Sequence, residues 1–255
     1  GTAWRDAIRD SMPKRDFEME YERSWQTFEG KPVYDDFKHS LHVGENLRPE
    51  PGIPLLIGWD FGLTPAGLLC QLVGRQLRVY KEFLESDGSI RKLAPVVMNH
   101  LRTNYLPWLN GDDKIICYVD PAGFQRAQTD ESTCVDELRK AGFRKVVPGP
   151  IIWESRRKAV EEYLTKTYSE GPAILIDATE CPILVEGFSG GYRYPEKALE
   201  IEPAKIRPIK NKWSHVHDAL QYLAGGATQL REQYGLNIPI PQYAFQGETH
   251  VKTNR

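Results

Sequence analysis

Three short apolar runs lie almost end to end between residues 53 and 84, and that crowding constrains the fold more than any other feature. Ile53–Asp60 (IPLLIGWD) is nearly continuous in apolar residues and ends in an acid. Ala66–Val73 (AGLLCQLV) follows a turn at Gly62 and Pro65, and Leu77–Leu84 (LRVYKEFL) alternates after a tight turn at 74–76. Successive strands joined by so few residues are expected to pair antiparallel, as a meander.

Downstream the rhythm changes. Ile90, Leu93, Ala94, Val97, Leu101 and Tyr105 have helical spacing, with Pro95 expected in the first turn. Lys114–Val119 (KIICYV) is a buried-type strand ending at Asp120, and Pro121 and Gly123 stop it. A helix through Val135, Leu138 and Ala141 should end at Gly142. A strand at Val146–Val147, a helix through Ala159–Leu164, a strand at Ala173–Ile176 and a short helix near 180–187 follow. Tyr192–Tyr194 and Ile206–Lys210 read as the arms of a β-hairpin near 192–210. Ser214 is the expected N-cap of a last helix striped by Val216, Ala219, Leu220, Leu223 and Ala227. The order predicts an α/β fold: a mixed sheet of five or more strands, meander first and parallel strands after, with helices on both faces. Residues 1–50 read as a linker or remnant of an upstream region. The compact domain is expected over 51–234, and 235–255 as a flexible tail.

Composition narrows the function. Over 255 residues, 33 basic side chains meet 35 acidic ones, a net charge of −2, which excludes a uniformly basic DNA-coating protein but not a local basic patch. Cys70, Cys117, Cys134 and Cys181 are far apart with no CxxC, so a zinc knuckle or disulfide framework is not expected and a reducing compartment fits. No apolar run approaches the roughly 20 residues of a membrane helix. Residues 1–25 lack the apolar core of a signal peptide, and no GxxxxGK[ST] phosphate loop occurs.

Three acids stand at element ends: Asp60, Asp120 and Asp218. If the strands ending at Asp60 and Asp120 are parallel neighbours, both carboxylates emerge at one sheet edge, and Asp218 begins the last helix. Converging carboxylates repel unless a divalent cation neutralises them, and an all-oxygen set suits Mg²⁺ or Mn²⁺. Two such ions suit phosphodiester cleavage. Each acid taken alone is explained equally well as a turn residue bonded to a nearby amide. On an ideal wheel Asp218 points away from the apolar stripe, like a solvated first-turn acid favoured by the helix dipole. Asp177 also ends a strand and is read as structural.

A second signal is basic. Lys205, Arg207, Lys210 and Lys212 fall within eight residues containing no acid, with Arg193 on the facing arm. They could grip DNA phosphates beside the acids, or form a solvated hairpin. Arg156, Arg157 and Lys158 read as a solvated helix face. His215-x-His217 and His39-x-x-His42 lack a third ligand nearby, which disfavours zinc; His217 beside Asp218 could assist proton transfer or simply pack.

These residues carry a resemblance. Gly58-Trp59-Asp60-Phe61-Gly62 with Thr64-Pro65, Val119-Asp120-Pro121-Ala122-Gly123, and Ser214-His215-Val216-His217-Asp218-Ala219-Leu220-Gln221-Tyr222 resemble the C-terminal nuclease domain of tailed-phage large terminases. Glu186-Gly187-Phe188 and Gly190-Gly191-Tyr192-Arg193-Tyr194 resemble that family's hairpin region, so the likeness spans residues 45–232. The resemblance implies an RNase H-like fold and two-metal cleavage of double-stranded concatemeric DNA with low sequence specificity. It implies that Asp60, Asp120 and Asp218 are the catalytic metal ligands. As partners it implies an N-terminal ATPase motor, a portal and a small terminase subunit, in the host cytoplasm. A resolvase- or transposase-like nuclease of the same fold, or an inert DNA- or partner-binding module, are the alternatives.

Overall fold

The computed structural model describes residues 30–62, 64–85, 88–105, 114–125, 132–195 and 206–234. The first half carries α1 (His39–His42), β1 (Val43–Gly44), β2 (Leu55–Asp60), β3 (Ala66–Val73), β4 (Gln76–Leu84), α2 (Ile90–Asn104) and β5 (Ile115–Val119). The second half carries α3 (Cys134–Ala141), β6 (Lys145–Pro148), α4 (Trp153–Thr165), β7 (Thr167–Tyr168), β8 (Gly171–Pro172), β9 (Ile174–Asp177), α5 (Pro182–Glu186) and α6 (Lys212–Tyr234). No helix among the described residues is long and apolar enough to cross a membrane.

The meander forms as its short turns require: β2 pairs antiparallel with β3, and β3 with β4. Parallel strands then extend both sides, giving the seven-stranded order β1-β9-β4-β3-β2-β5-β6. β2 and β3 are buried at every residue, as central strands covered on both faces must be. Leu55, Ile57 and Trp59 face one core with α2 and α3. Leu56, Leu68 and Cys70 face the other, under α4, α5 and α6.

Local signals place most helix ends. Thr133 and Asp136 exchange a reciprocal capping box at the start of α3, and Gly142 ends it at φ +112°. Pro95 departs from expectation: it lies inside α2 rather than in its first turn. The proline is on the exposed side, while Leu93, Ala94, Val97, Met98 and Leu101 hold the helix to the sheet.

Two further departures bear on the site. The packed body begins upstream of Ile53. Val33 and Tyr34 are buried in the core, and β1 pairs with β9. Tyr34 found partners in Phe188, Tyr192, and His217 and Gln221 of α6, which the proline-rich stretch at 49–54 concealed. Tyr192–Tyr194 bond mainly to this upstream segment, through Val33 N–H to the Tyr192 carbonyl (3.1 Å) and Tyr194 N–H to that of Lys31 (2.9 Å). One bond, from Ile209 N–H to the Arg193 carbonyl (2.9 Å), joins the two expected hairpin arms. The stretch 196–205 between them lies outside the described residues, as do 1–29 and 235–255. The short antiparallel pair of the fold is β7 with β8.

Candidate functional site

Parallel pairing of β2 with β5 brings their last residues to one edge. Trp59 is in register with Val119, and the Asp120 N–H donates to the Trp59 carbonyl at 3.2 Å. Asp60 and Asp120 therefore leave the sheet side by side. The third acid arrives on α6, which crosses directly over β2. Gly58 permits that crossing: a Cβ there would lie 2.2 Å from the Ala219 carbonyl oxygen. Asp218 precedes that alanine.

Asp218 is 3% exposed and Asp60 7%. Burial raises the Asp218 carboxyl above its ordinary range; Asp60 adds to the rise and the Lys210 ammonium opposes it. Tyr222, one turn further along α6, reports the convergence. Burial raises its hydroxyl, the Arg156 charge opposes this, and Asp120, Asp218 and Asp60 each raise it again. All three acids are thus electrostatic neighbours of one phenol.

Each carboxylate also has a protein partner. Asp60 Oδ2 lies 3.1 Å from His215 Nδ1. Asp120 Oδ1 accepts the Ala122 N–H at 3.0 Å, the turn geometry open to any strand-ending acid. Asp218 Oδ2 accepts from Lys210 Nζ. No three His, Cys, Asp or Glu side chains among the described residues are gathered into a set that could hold a metal ion.

The expectation of a solvated Asp218 fails for two reasons. Asn211, not Ser214, caps α6: its Oδ1 accepts the N–H groups of Trp213 and Ser214, both at 3.1 Å. Asp218 therefore sits in the second turn. In addition, α6 is buried all round from Val216 to Ala224, because α4 and α5 cover its outer face. Arg156 is likewise not solvated: it is 8% exposed, with its guanidinium 4.2 Å from the centre of the Tyr222 ring.

The basic cluster is engaged with acids. Lys210 meets Asp218, Arg207 meets Glu154 at 3.1 Å, and Lys212 meets Glu186 at 3.2 Å. Arg193 is half-buried between the upstream segment and Ile209, and Lys205 lies outside the described residues. Asp177 is structural, accepting N–H groups from Leu47, Thr179 and Glu180. His217 packs: it stacks on Tyr192 at 4.5 Å with the edge of Phe188 against it. Burial pushes its imidazole down to about 3. Gln221 binds this aromatic box to α6, donating to Tyr34 Oη and Tyr192 Oη, both at 3.0 Å. The partner role of His215 had one signal in the sequence, its position three residues before Asp218 on one helix.

The comparisons place this mixed sheet among known folds. The chain has the fold of phage large terminase nuclease domains. Against the large terminase of the thermophilic bacteriophage D6E it is 18% identical with a TM-score of 0.60, covering 86% of this chain and 52% of that one. It thus spans about half of that protein's length. Against the P22 large terminase nuclease domain it is 14% identical with a TM-score of 0.55, over 77% of this chain and 92% of that one. Against the large terminase nuclease of thermophilic phage G20c with bound magnesium it is 11% identical with a TM-score of 0.51, covering 76% and 96%. No protein-family model matches the sequence, and comparison with curated proteins yields no match either.

Proposed function

We propose that this chain is the nuclease domain of a tailed-phage large terminase, a metal-dependent endonuclease that cuts concatemeric double-stranded DNA with low sequence specificity. The observation that carries this is the convergence of Asp60, Asp120 and Asp218 from three elements at one sheet edge, two of them nearly sealed from water. A buried acid kept only for stability needs one partner, whereas the Asp60 charge adds to the cost of the buried Asp218 carboxylate. The shared fold and the magnesium bound by the G20c nuclease support the same reading.

The donors fit a hard divalent ion, being carboxylate oxygens only. Asp60, Asp120 and Asp218 would hold two ions, Mg²⁺ or Mn²⁺, once Lys210 leaves Asp218 and Asp120 turns from the Ala122 amide. Bound there, the pair supplies positive charge at the phosphate and acidifies a water toward neutral pH. The chain's own residues do the rest. His215 fixes the orientation of Asp60. Lys210 neutralises Asp218 in the meantime, and its largely exposed side chain has room to turn toward a phosphate oxygen. His217 moves no proton, because the aromatic box keeps it neutral. The products would be a 3′-hydroxyl and a 5′-phosphate. An ATPase motor, portal and small subunit would be the partners in the host cytoplasm.

The test is conversion of supercoiled plasmid to nicked and linear forms with Mg²⁺, Mn²⁺, Ca²⁺ or EDTA. Cleavage with Mg²⁺ or Mn²⁺, lost in EDTA and in Asp60→Ala, Asp120→Ala and Asp218→Ala, is expected. Undiminished cutting by any one folded variant would remove that acid from the site.

A further inference from the structure

The corner between β6 and α4 shares the edge on which the acids stand, because β6 runs parallel to β5. From Phe143 to Trp153 the chain carries Arg144 and Lys145 and no acid. At its tip Ile151 is 81% exposed and Ile152 63%. No other large apolar side chain among the described residues is as exposed as either.

This corner is braced rather than slack. The Gly149 N–H donates to the Val119 carbonyl at 2.8 Å, one residue before Asp120. A Cβ on Gly149 would meet the Tyr222 ring at 2.8 Å, and one on Gly225 would meet Pro150 at 2.6 Å, so the loop lies flat against α6. Pro148 and Pro150 restrict the backbone on either side. Behind the tip, the guanidinium groups of Arg207 and Arg157 lie 5.0 and 5.8 Å from the centre of the Trp153 ring, and Tyr194 meets that ring edge-on. The isoleucines thus project from a braced corner beside Asp120, and the flanking Arg207 and Arg157 are paired with Glu154 and Glu161.

An apolar tip beside acids placed to meet a phosphodiester suits a duplex. Aliphatic side chains enter a minor groove as wedges between base steps. A duplex whose backbone reaches Asp120 must pass this corner. Resting on the nuclease reading, we propose that Ile151 and Ile152 form a wedge that enters the minor groove and unstacks a base step beside the phosphate presented to the acids.

The test uses the whole chain in Ca²⁺ and a set of short duplexes carrying 2-aminopurine at each position in turn. Wild-type protein should raise the fluorescence of at least one probe. The double variant I151S/I152S should abolish that rise and bind about tenfold more weakly by anisotropy, the scale of losing two apolar contacts. Its melting temperature should be unchanged, because both side chains are exposed. I151L/I152L should keep the rise. A double serine variant with undiminished rise and affinity would overturn the wedge and leave the patch to a protein partner. Wild-type protein that binds and cuts without any rise would overturn the wedge alone. Unstacking without cleavage under Mg²⁺ or Mn²⁺ would uphold the wedge and sink the nuclease reading, and failure to bind duplex at all would overturn the wedge.

Discussion

Burying a carboxylate costs free energy unless a positive group or several N–H donors lie beside it. Asp218 has Lys210, but Asp60 pulls the other way and burial dominates. Its charge is therefore a liability to the fold near neutral pH, and Asp218→Asn should melt no lower than the wild type while losing cleavage. A fall of more than a few degrees in the thermal melt would show that the Lys210 contact is structural. On the proposed reading, His215 would act on the site through Asp60, its partner at 3.1 Å. Removing a group that orients a metal ligand costs about 10–100-fold in metal affinity or activity. His215→Ala should accordingly need more Mn²⁺ for half-maximal plasmid cleavage, and an unshifted Mn²⁺ titration would exclude that role.

At the scale of elements, the site depends on how closely α6 lies on β2. Gly58→Ala would drive a methyl into the Ala219 carbonyl, and backbone cannot yield as a flexible side chain does. Overpacking of this kind costs about 1–3 kcal/mol. The variant should melt several degrees lower and lose cleavage, since the shift moves Asp218 away from Asp60. Full activity in G58A would mean that the helix position is not critical. The cap at Asn211 supports the same helix, and Asn211→Ala should cost about 1 kcal/mol by denaturant titration. Ser214 Oγ supports this cap by donating to the Asn211 carbonyl and accepting its N–H.

Over the whole molecule, a half-buried carboxyl and a buried imidazole give stability opposite pH dependences. Glu82 on β4 accepts the Ile183 and Leu184 N–H groups at the start of α5, and burial pushes its carboxyl up to about 7. The stability it contributes is present below its unfolded value near 4.5 and is lost as pH rises through 7. His217, pushed down to about 3, contributes stability that is full above its unfolded value near 6.5 and is lost as pH falls toward 3. Melting temperatures from pH 4 to pH 8 should show Glu82→Gln flattening the alkaline decline and His217→Gln flattening the acid one. Parallel curves for a variant and the wild type would remove that group from the account. Both groups sit where separate segments meet, Glu82 between β4 and α5 and His217 between α6 and the residues around Tyr34.

What the sequence determined by itself was whatever depends on neighbours along the chain. The meander followed from turns too short for a crossover, the end of α3 from Gly142, and the placing of Asp60 and Asp120 from strands that each stop at an acid. What only the tertiary structure decided depends on contacts between distant segments. The burial of Asp218 and Arg156 arises because α6 is covered on its outer face by α4 and α5, and a helical wheel records one helix's periodicity but not what lies against it. The inclusion of Val33 and Tyr34 in the core has the same origin: Gln221 and Phe188, far along the chain, supply their partners. Lys210 shows the difference most directly. Its sequence neighbours made it one cation of a basic run, and the fold set its ammonium on Asp218, because a buried carboxylate attracts the nearest positive charge that the backbone can deliver.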